Sequence, residues 1–417
     1  MLKTKRLLSI FLLNLSVTLG YANDIVPIKD AIFKNYLLTN YTINTNNDGE
    51  IQVTEAKAFT GELRCGNLGI NDLSGIEYFE NITGLVCTRN SISQLDLSKN
   101  SKLQRVEATG IGLQSLVLGT HPNLKRLTVM QNKLTQIDLS KCPNLEYFVA
   151  NMNELKSLDV QANPKLSFLW VRTNHLKTLN LTKNRVLRNL NCFENELTQL
   201  DVSNCPELEF LLMASNGVKQ LNLTQNAKLR SFNGVSNPLE SIDFSSNPKL
   251  ESLHASYTKL KRLDLSANTV LTTVNLDDNS LEYLNLKNGS NKVLTSVKLK
   301  NNSLLKCIQV DDPAASLVNV NWEKDTDATY STSCKTMSVN ESSLSQARVF
   351  PNPATNAVQV TLETDSVKEL ILYTTTGVQI KKVSRASLEL GSISGGVYLL
   401  EIRTDTGRRS VQKLVVK

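Results

Sequence analysis

The sequence is poor in aromatic residues, which make up only 6% of its 417 residues, and it has only three histidines. After residue 22 no stretch approaches the eighteen apolar residues that a membrane-spanning helix needs. It also lacks an HExxH, phosphate-loop or dinucleotide-binding motif, and no histidine lies near a serine or cysteine in a recognisable nucleophile motif. We therefore expect neither a catalytic site nor a transmembrane anchor, and the chain is predicted not to be an enzyme.

The positive charge is confined to the two ends of the chain. The whole sequence has 46 basic and 39 acidic side chains, a formal charge of +7. Residues 1–22 hold three basic and no acidic side chains, residues 348–417 hold ten and six, and residues 23–347 hold 33 of each. Because a nucleic-acid-binding body carries an excess of basic side chains, the neutral body predicts no nucleic-acid partner.

The first 22 residues predict a secretory signal peptide. Lys3, Lys5 and Arg6 precede an apolar stretch over residues 7–19, and the small residues Gly20 and Ala22 follow it at a cleavage position. We expect the protein to leave the cytoplasm.

A repeat dominates the rest of the sequence. From Leu85 to Val274 an apolar residue returns every 21 positions without insertion or deletion, and less regular turns begin at Leu63 and Val297. Each turn contains two alternating apolar pairs, such as Leu127 with Val129. This alternation predicts about twelve stacked turns, each with two short strands whose apolar side chains face inward.

Two columns of asparagine follow the apolar pairs. An asparagine amide can satisfy both donors and acceptors of a turning backbone, so both columns are predicted to be structural. We call them the front ladder and the back ladder. The front ladder is Asn90, Asn132, Asn153, Asn174, Asn195, Asn216, Asn237 and Asn279, and the back ladder is Asn100, Asn163, Asn184, Asn226, Asn247 and Asn268.

Over about residues 60–310 this pattern resembles the leucine-rich repeat proteins, particularly secreted, internalin-like ones. The resemblance implies a mostly β fold, a leucine-rich repeat solenoid with N- and C-terminal caps. It also implies that a protein or glycan ligand binds the strand-lined face.

The scarce aromatic residues concentrate on that face. If Leu127 and Val129 point inward, then Arg126, Thr128 and Met130 point outward on the same strand. The same assignment applied to every turn gives a face that is polar at both ends. Its centre is apolar and aromatic, which is typical of a binding surface, although these rings could instead pack on one another and stiffen the sheet. The predicted ligand-binding residues are Met130, Tyr147, Val149, Phe168, Trp170, Phe193, Phe210 and Leu212.

The N-terminal cap contains a segment that is similar to an EF-hand loop. Asn44, Asn46 and Asp48 stand at positions one, three and five of a twelve-residue loop that ends at Glu55. Asn44 replaces an acidic residue, which lowers the charge available to a cation. The candidate calcium ligands are Asn44, Asn46, Asp48, Glu50 and Glu55, and no other cofactor is expected. The alternative is a turn that starts a capping helix.

The seven cysteines divide into two groups. Five occupy repeat positions and are expected to be buried thiols, although Cys65 and Cys87 lie on adjacent turns and could pair. Cys307 and Cys334 instead flank a non-repetitive segment that resembles the C-terminal cap of the leucine-rich repeat family. A disulfide between them would close this cap and stabilise it by about 3 kcal/mol.

The last seventy residues change to short strands separated by turns, which predicts a small Ig-like β-sandwich. Their order of motifs resembles the type A sorting domain of the type IX secretion system of the Bacteroidota. The resemblance implies export across the outer membrane, to the cell surface or the medium, with the type IX machinery as a partner. The residues that carry it are Pro351, Asn352, Pro353, Gly377, Gly396, Tyr398 and Lys413.

The predicted organisation is therefore a chain of six segments. These are a signal peptide (1–22), an N-terminal cap (23–60), the repeats (61–310), a C-terminal cap (311–338), a linker (339–347) and the sorting domain (348–417).

Overall fold

The computed structural model describes residues 25–317, 321–334, 347–362, 365–374, 379–391, 393–406 and 408–417. The predicted signal peptide and Gly377 lie outside these residues. The chain divides into two compact units, residues 1–333 and residues 334–417. Among the described residues no helix is long and apolar enough to span a membrane.

The first unit is a mostly β leucine-rich repeat solenoid. Its main sheet, which we call the face sheet, has thirteen parallel strands, and the strands from Arg105–Glu107 to Thr273–Asn275 follow one another every 21 residues. The strands are Glu62–Arg64, Gly84–Val86, Arg105–Glu107, Arg126–Thr128, Tyr147–Val149, Phe168–Trp170, Asn189–Asn191, Phe210–Leu212, Ser231–Asn233, Ser252–His254, Thr273–Asn275, Ser296–Leu299 and Trp322–Lys324.

The thirteenth strand corrects the expected number of about twelve. Trp322–Lys324 pairs with Ser296–Leu299 although it lies in the segment predicted as a C-terminal cap. The indole of Trp322 takes the inward position that leucine, valine or phenylalanine holds in earlier turns. It is 9% exposed and donates through Nε1 to the carbonyl of Leu294 at 2.9 Å. One large side chain thus covers the end of the core, and a helix, α3 (Pro313–Leu317), precedes it.

The second strand of each turn forms only near the two ends of the solenoid. On this side, which we call the back, Gln94–Asp96 pairs with Ser115–Val117, and a four-stranded sheet joins Arg262–Asp264, Tyr283–Asn285, Cys307–Gln309 and Thr329–Ser331. Between them, in the described structure, only the isolated bridge between Asp159 and Asn180 pairs adjacent turns. The expectation of two strands in every turn was wrong because alternating apolar residues report which side is buried, whereas a strand also needs backbone pairing.

The core runs the length of the solenoid. Leu127, Leu169 and Leu253, from three different turns, are each fully buried at the same position of the repeat. Since each turn covers the apolar side of its neighbours, the core is continuous.

The front ladder links each turn to the one before it. Asn174 Nδ2 donates to the carbonyls of Ala150 and Val171, both at 3.0 Å, and its Oδ1 accepts from the Leu155 N–H at 3.0 Å. The amide therefore uses its donors and its acceptor, as the sequence predicted.

The back ladder uses only the donor side of its amides. Asn184 Nδ2 donates to the carbonyls of Val160 at 3.1 Å and Asn163 at 3.0 Å. Its buried Oδ1 has no partner in the described structure, and the same is true of the other five back-ladder amides. Buried His121 stands in this column, between Asn100 and Cys142, and burial lowers the pKa of its imidazole.

The aspartates on the back hold turns within their own repeat. Asp138 Oδ1 accepts from the Ser140 N–H at 2.9 Å, and Asp264 does the same with Ser266 at 2.9 Å. Each carboxylate accepts from the N–H two residues further along the same turn, which is the hydrogen bond of an Asx turn.

A left-handed residue precedes the front-ladder position in turn after turn. Thr173 has φ 54° and Tyr257 has φ 55°, and Gly110, with φ 64°, is the glycine at this position. The left-handed conformation is costly for branched and bulky side chains. The solenoid therefore imposes it through the hydrogen bonds of the turns on either side.

Two short helices, α1 (Ala31–Leu38) and α2 (Val53–Ala58), cap the N-terminal end. Asp30 Oδ1 accepts from the N–H groups of Ile32 and Phe33, both at 2.9 Å, and so starts α1. Phe33 and Leu37 are fully buried against the first turns.

The second unit contains two antiparallel sheets, as expected of an Ig-like β-sandwich. One has Arg348–Phe350, Ala357–Thr361 and Ser387–Glu389, and the other has Gln379–Val383, Val367–Thr374, Gly396–Thr404 and Arg409–Val416. Their core contains Val358 from the first sheet and Leu372, Leu400 and Leu414 from the second.

Candidate functional site

The centre of the face sheet carries a continuous stack of side chains. Parallel pairing in register places Arg126 beside Tyr147 and Tyr147 beside Phe168. The guanidinium of Arg126 lies 4.4 Å from the Tyr147 ring centroid, and the rings of Tyr147 and Phe168 are stacked at 4.2 Å with 15° between their planes. Trp170 follows at 4.6 Å from Phe168, tilted by 34°. We call these four residues the aromatic stack.

A second pair lies beside the stack. The guanidinium of Arg172 is 5.5 Å from the ring centroid of Phe193, which follows it by one repeat of 21 residues. The buried Nε of Arg172 has no hydrogen-bond partner in the described part of the chain. An unpaired buried donor lowers stability, so the fold holds the Arg172 side chain in this position at a cost.

The predicted binding residues do not all contribute equally. Phe210 is 37% exposed, but Asn189 separates it from Phe168 in the register of the sheet. Val149 is only 3% exposed, because it lies between its register neighbours Thr128 and Trp170. It supports the surface rather than offering contact area. Met130, Tyr147, Phe168, Trp170, Phe193 and Leu212 are half-buried.

Sequence reasoning did not assign the two arginines to the site. Arg126 precedes Tyr147 by 21 residues, and Arg172 precedes Phe193 by the same interval. This spacing was the available signal, since residues one repeat apart become neighbours in a solenoid with constant period.

Charged side chains along the flank of the face sheet form pairs between turns. Arg230 and Glu251 approach to 2.8 Å, Arg188 and Glu209 to 3.6 Å, and each pair is one repeat apart. These exposed pairs contribute less than about 1 kcal/mol each. They neutralise the flank, whereas Arg126 and Arg172 have aromatic rings as neighbours and no acidic partner in the described residues.

The C-terminal part of the face sheet is polar. Ser252, His254 and Asn275 replace the aromatic residues at the same outward positions. Burial, and secondly the charge of Lys298, lowers the pKa of His254.

The loop proposed for calcium is held by its own hydrogen bonds. Glu55 Oε1 accepts from the N–H of Thr45 at 2.8 Å and of Asn46 at 3.2 Å, and Glu55 Oε2 accepts from the N–H of Gln52 at 3.1 Å. The side chains of Gln52 and Glu55 form a capping box that starts α2.

The other candidate calcium ligands are engaged as well. Glu50 pairs with Lys34 at 2.6 Å, and Asp48 accepts from Glu50 N–H and Gln52 Nε2. These bonds lower the pKa of Asp48. Asn44 Oδ1 is buried and has no hydrogen-bond partner among the described residues. These contacts form the capping turn that starts α2. Calcium binding at this loop stays a prediction, in which the ion would displace Lys34 from Glu50.

No metal centre is assembled elsewhere in the described residues, where no group of three or more His, Cys, Asp or Glu side chains is placed to hold a metal ion. Five cysteines, at positions 65, 87, 142, 192 and 205, are buried free thiols. Burial raises the pKa of Cys192 to about 12, so its unreactive thiol form persists. Cys307 and Cys334 are both disulfide-bonded.

In the second unit, Asn352 ties the Pro351–Pro353 segment to the last strand. Its Nδ2 donates to the carbonyl of Lys413 at 2.7 Å, and its Oδ1 accepts from the Val415 N–H at 2.9 Å. The hydroxyl of Tyr398, which follows Gly396, donates to the carbonyl of Ser394 at 2.7 Å. The motif residues thus hold the end of the chain in the sandwich.

Residues 348–417 match the family of the secretion system C-terminal sorting domain. The chain is therefore a protein exported by the type IX secretion system to the cell surface or the medium, with a leucine-rich repeat body in front of its sorting domain.

Several solved structures are similar to the chain. The functional domain of InlJ from Listeria monocytogenes is 20% identical, with 93% of this chain and 99% of that chain covered and a TM-score of 0.47. An internalin (inlF) from Listeria monocytogenes is 17% identical, with 76% and 100% covered and a TM-score of 0.49. A leucine-rich repeat protein from Leptospira interrogans is 16% identical, with 66% and 97% covered and a TM-score of 0.36. No curated protein matches the sequence.

Proposed function

We propose that this exported protein is a non-enzymatic, adhesin-like binding protein that captures a protein or glycan ligand through the centre of the face sheet. One observation carries the proposal. The aromatic stack, from Arg126 to Trp170, stands on the outward side of a sheet whose core is already complete beneath it. A fold that needs only its inward residues gains little from large rings on the outside, so a ligand is the better reason for them.

A second candidate function has an observation in its favour. The rings of Tyr147, Phe168 and Trp170 lie against one another, as they would if they served to stiffen the sheet. The protein would then be a structural component of the cell surface without a dedicated soluble ligand.

The two candidates differ in what the removal of the rings changes. The full chain and the double variant Phe168→Ala/Trp170→Ala are compared on a glycan array and on an array of purified surface proteins, and their thermal stabilities are measured. A binding role predicts capture by the full chain, loss of capture by the variant, and nearly unchanged stability. Clean negatives on both arrays, or a large stability loss with unchanged capture, would favour the structural role.

The back of the solenoid offers a matched control. Tyr283 lies under the guanidinium of Arg262, at 4.6 Å, in an arrangement like that of Tyr147 under Arg126. Tyr283→Ala therefore removes an equivalent ring from the opposite side. Capture should survive this change.

A further inference from the structure

The centre of the face sheet is cationic as well as aromatic. The outward positions from Arg126 to Ala214, over five successive turns, include two arginines and no carboxylate. Elsewhere on the repeat body the arginines at 105, 188 and 230 each pair with a glutamate. The outward positions of these five turns therefore carry an uncompensated positive charge, although residues 23–347 are neutral as a whole.

The rings leave little open face for a sugar. Arg126 and Phe168 flank Tyr147 from the strands on its two sides, and Phe168 contacts both Tyr147 and Trp170. Sugars bind aromatic residues mainly by stacking on a free ring face, whereas ring edges carry partial positive charge and favour carbonyl and carboxylate oxygens. Tyr147 and Phe168 therefore present mainly their edges to a ligand.

From these contacts we propose that the partner is an acidic protein segment that lies extended across the aromatic stack and pairs its carboxylates with Arg126 and Arg172. The proposal rests on the proposed binding function and names the chemical class of its ligand. The carboxylates would pair with the guanidinium groups of Arg126 and Arg172, which have no acidic partner in the described residues, and the apolar side chains of the segment would cover the rings.

The geometry also gives the spacing of the acidic groups. Arg172 lies two strands and four residues away from Arg126. With strands about 4.8 Å apart and a rise of about 3.3 Å per residue, the two Cα atoms are about 16 Å apart on a diagonal of the sheet. About five residues of extended chain span this distance.

A displayed library of random 15-residue peptides, selected on the full chain, tests this class of ligand. We expect the selected peptides to combine apolar residues with two aspartates or glutamates about five positions apart. Synthetic versions of these peptides should bind the Arg126→Gln variant of the protein about tenfold more weakly than the full chain, and the Arg172→Gln variant likewise. The Arg126→Lys variant should lose less affinity, because the positive charge remains. Arg185→Gln, which removes an exposed arginine outside the face, should change nothing.

The outcomes separate this inference from the proposed function. The proposed acidic segment is contradicted if the selection yields neutral or basic peptides, or none. It is also contradicted if the Arg→Gln variants bind the selected peptides as well as the full chain does. Capture of acidic glycans that is lost with Trp170→Ala also overturns that class but supports the binding function. Peptide binding that survives Trp170→Ala overturns the proposed function itself.

Discussion

The central turns of the face sheet and its C-terminal turns share one backbone and differ in what they present. Phe168 and Trp170 occupy the outward positions that Ser252 and His254 occupy four turns later, and the fully buried Leu169 corresponds to Leu253. A solenoid separates the residues that build it from those that it displays. The outward positions can therefore diverge without a change in the fold.

The largest loss of stability should come from substitutions at the core residues that the two regions share. Leu169→Ala and Leu253→Ala should each lower the free energy of unfolding by about 3 kcal/mol, because each leaves a cavity at the same core position. Chemical denaturation of the two variants checks this. If the central variant were much less affected than the C-terminal one, the core would not be uniform and the comparison would fail.

A smaller loss of stability should come from substitutions in the front ladder, where the two regions have different residues. Asn174→Ala removes a hydrogen-bond partner from three carbonyls and from the Leu155 N–H, and it should lower the free energy of unfolding by about 2 kcal/mol. In the C-terminal turns Thr258 takes the ladder position and donates to the Ala255 carbonyl at 3.2 Å.

Thr258→Ala should therefore cost less than Asn174→Ala, about 1 kcal/mol, since fewer backbone groups lose a partner. Denaturation curves measured side by side decide this. Equal costs would mean that the asparagine amide contributes no more than a hydroxyl.

The smallest effect should be the pH dependence of stability that His254 adds in the C-terminal turns. Burial lowers the pKa of His254 in the folded protein, so the unfolded chain binds the proton more readily. This contribution to stability is complete above the unfolded pKa of about 6.5 and is lost as the pH falls below it.

His254→Gln should reduce the stability that the protein loses between about pH 7.5 and pH 5.5. His121 has a lowered pKa too and remains in both proteins, so the difference between them isolates His254. Identical losses in the two proteins would show that the imidazole of His254 is not desolvated.

The period of 21 residues was sufficient to predict the inward residues, because one rule places Leu127, Leu169 and Leu253 in a single core. It could not predict where the back strands pair, since Ile137 and Leu139 alternate as strand residues do but lie outside any strand. The left-handed conformation of Thr173 was also invisible, because no glycine marks it.

The candidate site was predictable as a surface but not as an arrangement. Strand phase placed Tyr147, Phe168 and Trp170 outward, yet stacking depends on side-chain torsions that spacing does not specify. Val149 also has the outward phase, but it is buried because Thr128 and Trp170 lie on either side of it.

The most direct test of the account uses the two tryptophans of the chain. Trp322→Phe removes the buried indole at the end of the core and leaves Trp170 as the fluorescent reporter on the aromatic stack. Binding of a selected peptide to this variant should shift the Trp170 emission to shorter wavelength and protect it from iodide quenching. Saturable peptide binding with unchanged Trp170 emission and unchanged quenching would contradict the central claim that ligands bind at the aromatic stack.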